Sequence, residues 1–197
     1  MNGYERRKAK KINNIRAAAM DLFMHYGLQK VNINEIAKKA GVSPATIFNY
    51  YGSKEQLIID VLTFQMNAQL ERYERILHED IPFTEKTKQI IFGEIEVLSR
   101  LSRVYGGTDL ELSPVLKFLQ TYEEDKLLPF FTRYIEAGQQ EGFFSEDYNV
   151  SHLLAYFDMY KRQMIRIMET LPESEQKPLF ERFTEFFFYG LTGRRAE

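Results

Sequence analysis

An all-α protein is predicted for this chain of 197 residues, and three observations carry that prediction. Apolar residues recur at the three-to-four-residue spacing of helices along most of the length. Asn, Ser and Pro stand where those periodic runs begin, as N-caps and first-turn residues. Gly stands where many of them end, because it enters the left-handed conformation without a Cβ clash.

The first run, from about Lys10 to Tyr26, repeats Ile12, Ile15, Ala19, Leu22, Phe23 and Tyr26, and Gly27 ends it. The preceding basic residues MNGYERRKAKK are expected to be frayed, with Arg6, Arg7, Lys8, Lys10 and Lys11 within reach of phosphates or a minor groove. Next comes NINEIAKKAGVSPATIFNYYGSKEQL, residues 32–57. Asn32 and Glu35 form a capping box, and Gly41 stops the helix that they open. Ser43 caps a second short helix, with Pro44 at its first position and Tyr50 near its end. Ser53 opens a third, with Gln56 in the reciprocal place. Two short helices joined by a tight turn make a helix-turn-helix. Ile33, Ile36, Ala37 and Ala40 fall on one face, over which Val42, Ile47 and Tyr51 can close. Pro44, Ala45, Thr46, Asn49 and Tyr50 are left to face outward, a small and neutral surface able to enter a major groove.

From Ser53 the apolar pattern continues through Leu57, Val61, Leu62, Phe64, Leu70 and Leu77, a long helix bounded by Pro82. Further helices are expected over about 84–105, ending at Gly106-Gly107, and from Ser113-Pro114 to about Thr121. Pro129 either starts a helix or kinks one, and the helical pattern around it runs on to Gln140. After Gly142, Phe143 and Phe144 are expected to fold back onto the core. Two last helices cover about 150–169 and 173–191. In the second, FTEFFFYGL is apolar around too much of its circumference for one buried stripe. Such a helix either lies deep inside the domain or buries a second face against a second copy of the chain, with Phe187 and Phe188 the candidates for that contact.

Composition narrows the function. A content of 44% hydrophobic residues with 16 Phe and 12 Tyr excludes disorder. No run is long enough to span a membrane and no apolar h-region follows the basic start, so a cytoplasmic protein is expected. Zero cysteines exclude a disulfide framework and thiol catalysis. The net charge of −2 hides an asymmetry, since residues 1–54 carry ten Lys/Arg against three Asp/Glu. The basic part coincides with the helix-turn-helix, the footprint of a DNA-binding module. No Gly-rich phosphate loop, HExxH or Ser/His/Asp cluster is present, and His25, His78 and His152 lie far apart. Neither an enzyme, a cofactor nor a metal is therefore expected. A helical module that binds only other proteins is the competing reading, and it leaves the basic third without a purpose.

The run IAKKAGVSPATIFNYYGSKEQL closely resembles the DNA-binding signature of the tetracycline-repressor (TetR) family of bacterial transcription regulators. The resemblance implies a three-helix DNA-binding domain, residues 1–54, and a helical regulatory domain for ligand binding and dimerisation, residues 55–197. It further implies a homodimeric repressor that binds a palindromic operator on double-stranded DNA and is released by a small apolar inducer, or an activator of the same fold. By residue-to-residue match the DNA contacts are Thr46, Asn49, Tyr50 and Lys54, then Pro44 and Ala45, with Asn34 near a phosphate. Two positions depart from the pattern: Phe48 where tyrosine is frequent, and Gly52 where a basic residue is.

Overall fold

The computed structural model describes residues 2–92 and 113–190. Among them the chain forms nine α-helices: α1 Gly3–Tyr26, α2 Ile33–Ala40, α3 Pro44–Tyr51, α4 Lys54–His78, α5 Phe83–Thr87, α6 Ser113–Tyr122, α7 Leu128–Gln140, α8 Val150–Thr170 and α9 Glu173–Tyr189. No strand occurs among the described residues. None of the described helices is long and apolar enough to cross a membrane.

Several elements differ from the sequence expectation, each for a local reason. The basic amino terminus is helical from Gly3, because Asn2 caps it: the Asn2 side chain accepts from the Tyr4 and Glu5 amides, and Glu5 returns a bond of 2.8 Å to the Asn2 amide. The helix expected over 84–105 begins as the short α5 and widens into a π-turn, Lys88–Phe92. Its remainder, with Gly106-Gly107, lies outside the described residues, as does the chain beyond Gly190. A second π-turn, Glu123–Leu127, joins α6 to α7. There the Leu128 amide donates to the Glu123 carbonyl, one residue further back than in an α-helix. Pro129 follows directly, has no N–H to offer, and would crowd an α-helical carbonyl. The widened turn lets the helix pass the proline without stopping.

The described residues fall into two compact units. The first comprises 2–78 and 113–130. Its core joins Ile15, Ala19 and Phe23 of α1, Ile36 and Ala37 of α2, Ile47 of α3, Leu57, Ile58 and Val61 of α4, and Val115 of α6. The middle of α4 is fixed by a bond of 3.0 Å from the Tyr122 hydroxyl to Asn67 Oδ1. Tyr73 stacks on Phe130 with centroids 5.7 Å apart.

The second unit comprises 79–92 and 131–190 and is built on aromatic rings. Phe83 stacks on Tyr134 at 5.1 Å and meets Phe143 at 5.0 Å, and Phe144 packs on Tyr134 and Phe157. The expected return of Phe143 and Phe144 onto the core is thus what forms. It depends on Gly138 of α7. A Cβ there would lie 2.7 Å from Phe144 Cε2 and 2.8 Å from Phe83 Cε1. The Gly138 carbonyl also accepts from the Phe143 and Phe144 amides, at 2.8 and 3.1 Å. Tyr134, fully buried, donates 2.6 Å to Thr87 Oγ1, and burial pushes its phenol well above the ordinary value. In the α8–α9 hairpin Phe187 is 8% exposed, ringed by Tyr156, Phe157 and Tyr160 of its own unit. Phe188 is half-buried, and the exposed large apolar side chains among the described residues of the hairpin are Met159, 57%, and Phe186, 37%.

Candidate nucleic-acid interface

Local chemistry sets the helix-turn-helix. Asn32 Oδ1 accepts from the Glu35 amide at 3.1 Å, and Glu35 Oε2 accepts from the Asn32 amide at 2.9 Å. Gly41 ends α2 in the left-handed region at φ +67°, and the Val42 amide turns back to the Ala37 carbonyl at 3.0 Å. Ser43 Oγ then accepts from the Thr46 amide at 3.2 Å, with Pro44 at the first helical position. Gly52, at φ +75°, closes α3, and Ser53 Oγ caps α4 by accepting from the Gln56 amide at 3.2 Å.

A charged pair ties α1 to α4 behind this motif. The Arg16 guanidinium donates two bonds to Asp60, Nε–Oδ2 2.7 Å and Nη2–Oδ1 2.6 Å. It also lies 5.0 Å over the Phe64 ring. The Asp60 hydrogen bond, opposed by partial burial, holds the guanidinium pKa above its usual value. The Tyr51 hydroxyl, at the end of α3, is buried beside Asp60. Burial first and the Asp60 charge second raise that phenol. Three helices therefore meet at one carboxylate. On the other side of the module Lys39 of α2 is paired with Asp21 of α1, and that bond holds the Asp21 carboxyl below its ordinary range. Lys8, Arg16, Asn49, Tyr50, Gln56 and Asp60 contribute to the walls of a cleft of about 520 Å³ between α1, α3 and α4.

The outward surface of α3 is one arc of exposed residues: Pro44, Ala45, Phe48 and Asn49, with Gly52 just beyond. Thr46 is half-buried, and its hydroxyl lies 2.9 Å from Ser43 Oγ. Tyr50 is also half-buried and packs against the core of the unit, while Phe48 stands out at 50% exposure. Helical periodicity explains the exchange. Tyr50 and Tyr51 follow buried Ile47 by three and four residues and share its stripe, whereas Phe48 lies away from it. Asn34 is exposed in the first turn of α2. Lys54 is half-buried, donates 3.2 Å to the Gln29 carbonyl, and has its pKa lowered chiefly by desolvation. Arg6, Arg7, Lys8, Lys10 and Lys11 all lie exposed on α1. Among the described residues no group of three His, Cys, Asp or Glu side chains is placed to hold a metal.

A capped, groove-sized helix on a basic three-helix module defines a helix-turn-helix unit, and a second helical unit accompanies it. Residues 15–61 match the family model for bacterial regulatory proteins of the tetR family. That match spans the helix-turn-helix module, α2 and α3 with the parts of α1 and α4 that pack on them. The fatty acid metabolism regulator protein of Bacillus subtilis (strain 168) is 29% identical over 107 residues, 54% of this chain and 55% of the relative. The match thus spans about half the length of that relative. The solved structure of FadR from Bacillus subtilis in complex with stearoyl-CoA superposes with a TM-score of 0.70 at 22% identity, covering 90% of this chain and 98% of that one. FadR from Bacillus halodurans, a fatty acid degradation regulator, gives 0.70 at 19% identity, covering 93% and 97%. At such identities the likeness is one of fold.

Proposed function

We propose that the protein is a homodimeric repressor that binds a palindromic operator through α3 and leaves it when a long apolar chain enters the second unit. In this reading residues 1–54 are the DNA-binding domain and residues 55–197 the regulatory one, at work in the bacterial cytoplasm. Thr46, Asn49, Tyr50 and Lys54, with Pro44, Ala45 and Asn34, make the DNA contacts. Half-buried Tyr50 and Lys54 serve from the rim, toward phosphates. The two α3 helices of a dimer would sit about 34–36 Å apart, one turn of duplex. A linked second half-site raises affinity without any new kind of contact.

The observation that carries the ligand class is a crevice of about 210 Å³ inside the second unit, walled by Phe143, Phe144, Phe157, Phe187 and Phe188. Its lining is mostly aromatic and apolar, with Thr84, Tyr156 and Tyr189 among it, which suits a hydrocarbon chain, and the stearoyl-CoA in the Bacillus subtilis structure points to an acyl thioester. The volume lies below the roughly 300–1,000 Å³ of ordinary ligand sites. A chain therefore enters only by moving the rings apart. That supplies the difference in affinity between two shapes without which a ligand shifts nothing.

A gel-shift assay with DNA flanking the gene tests both parts. Retardation that survives competitor DNA, and is reversed by long-chain acyl-CoA but not by free CoA, is the expected result. Retardation indifferent to every acyl chain length removes the ligand class, and no retardation removes the repressor. The dimer is tested by Phe186→Glu with sedimentation. Phe186 and Met159 are the exposed large apolar residues of the α8–α9 hairpin among the described residues, so the variant is expected to be a folded monomer. An unchanged dimer would place the interface elsewhere.

A further inference from the structure

The exposed arc of α3 is small and neutral except at one residue. Phe48 presents half of its surface to solvent between Pro44 and Gly52, and beside Ala45 and Asn49. Among the described residues, the partly buried side chains packed on the core include Tyr50 and Tyr51 from this helix, whereas Phe48 is turned outward. The ring has no atom that donates or accepts a hydrogen bond, so it cannot read a phosphate or the polar edge of a base. In the major groove the base edges carry one apolar group, the 5-methyl of thymine. Ala45, three residues earlier on the same arc, has only a methyl group and lets the helix approach closely. Asn49, the next residue, can make a two-bond contact to an adjacent adenine.

We infer that Phe48 is a specificity-determining residue that packs on the methyl group of a thymine in each operator half-site. This rests on the DNA-binding reading above, and it goes beyond it by fixing one base.

The test begins with selection of preferred sites from random duplexes by the full-length protein. Each thymine of one half-site is then replaced singly by deoxyuridine, which keeps the base pair and deletes the methyl. At one thymine the replacement should weaken wild-type binding about fourfold, the transfer value of a single buried carbon. Phe48→Ala should bind the thymine and deoxyuridine forms of that position equally, while its response at other thymines matches wild type. Phe48→Leu, which keeps an apolar side chain, should retain part of the discrimination. Because Phe48 is exposed, both variants should keep the wild-type melting temperature. The inference is overturned if no thymine is sensitive, or if the sensitive one stays so in Phe48→Ala. Failure to select any site would remove the DNA-binding reading itself, a result distinct from binding without methyl discrimination.

Discussion

Deleting either partner of the Arg16–Asp60 pair should loosen α1, α3 and α4 together. The pair makes two parallel bonds of 2.6 and 2.7 Å with side chains about one quarter exposed, 26% and 27%. A fully exposed ion pair contributes about 0.2–1 kcal/mol, and a hydrogen bond to a charged group about 1.5–3 kcal/mol. Partial exposure places the coupling between these, at about 1–2 kcal/mol. The measurement is a double-mutant cycle of Arg16→Ala and Asp60→Ala by urea unfolding. The Arg16–Phe64 contact is lost equally with and without Asp60, so it cancels. Asp60→Ala alone should also weaken operator binding, because the tie between α1 and α4 behind α3 is then lost. A coupling within about 0.3 kcal/mol of zero, the usual error of additivity, would refute the reasoning.

Three other perturbations have defined signs. Gly138→Ala would gain up to about 1 kcal/mol in helix propensity, but displacing two packed rings costs about 1–3 kcal/mol. A lower urea midpoint is therefore expected, and a higher one would mean that the Phe83 and Phe144 rings yield freely. The lowered pKa of Asp21 contributes stability that is present above its unfolded value and lost as pH falls through its folded one. Lys39→Met should remove that part of the acid sensitivity, read from unfolding midpoints between about pH 5 and 2. Lys54→Ala should flatten the dependence of log affinity on log salt by about one unit. An unchanged slope would show that its ammonium serves only the Gln29 carbonyl.

How much could be read beforehand follows from how local the chemistry is. The helix-turn-helix boundaries were legible because Asn32, Gly41, Ser43-Pro44 and Gly52 act on neighbours within a few residues. The start of α1 was legible in principle, since Asn2 and Glu5 have capping-box spacing, but the basic run after them suggested fraying. On α3, Thr46 and Tyr50 are expected outward and are half-buried, while Phe48 is exposed. Applying the spacing of Ile47 to its own helix would have turned Tyr50 inward. The Arg16–Asp60 pair spans 44 residues, and nothing in either neighbourhood announces the other. The same holds for Gly138, which reads as a weak point in a helix until Phe83 and Phe144 are seen against it. Lys86 is another case: its buried ammonium lies 3.4 Å from Glu141, 55 residues away.

The early start of α1 bears on the thermodynamics of encounter. Arg6, Arg7, Lys8, Lys10 and Lys11 sit on backbone that is already helical. A flexible basic arm would have to order itself on the duplex, at about 1–2 kcal/mol per residue in lost backbone freedom. Here that loss belongs to folding and not to association. The binding enthalpy should accordingly vary little with temperature, without the large negative heat-capacity change that marks segments folding on their target.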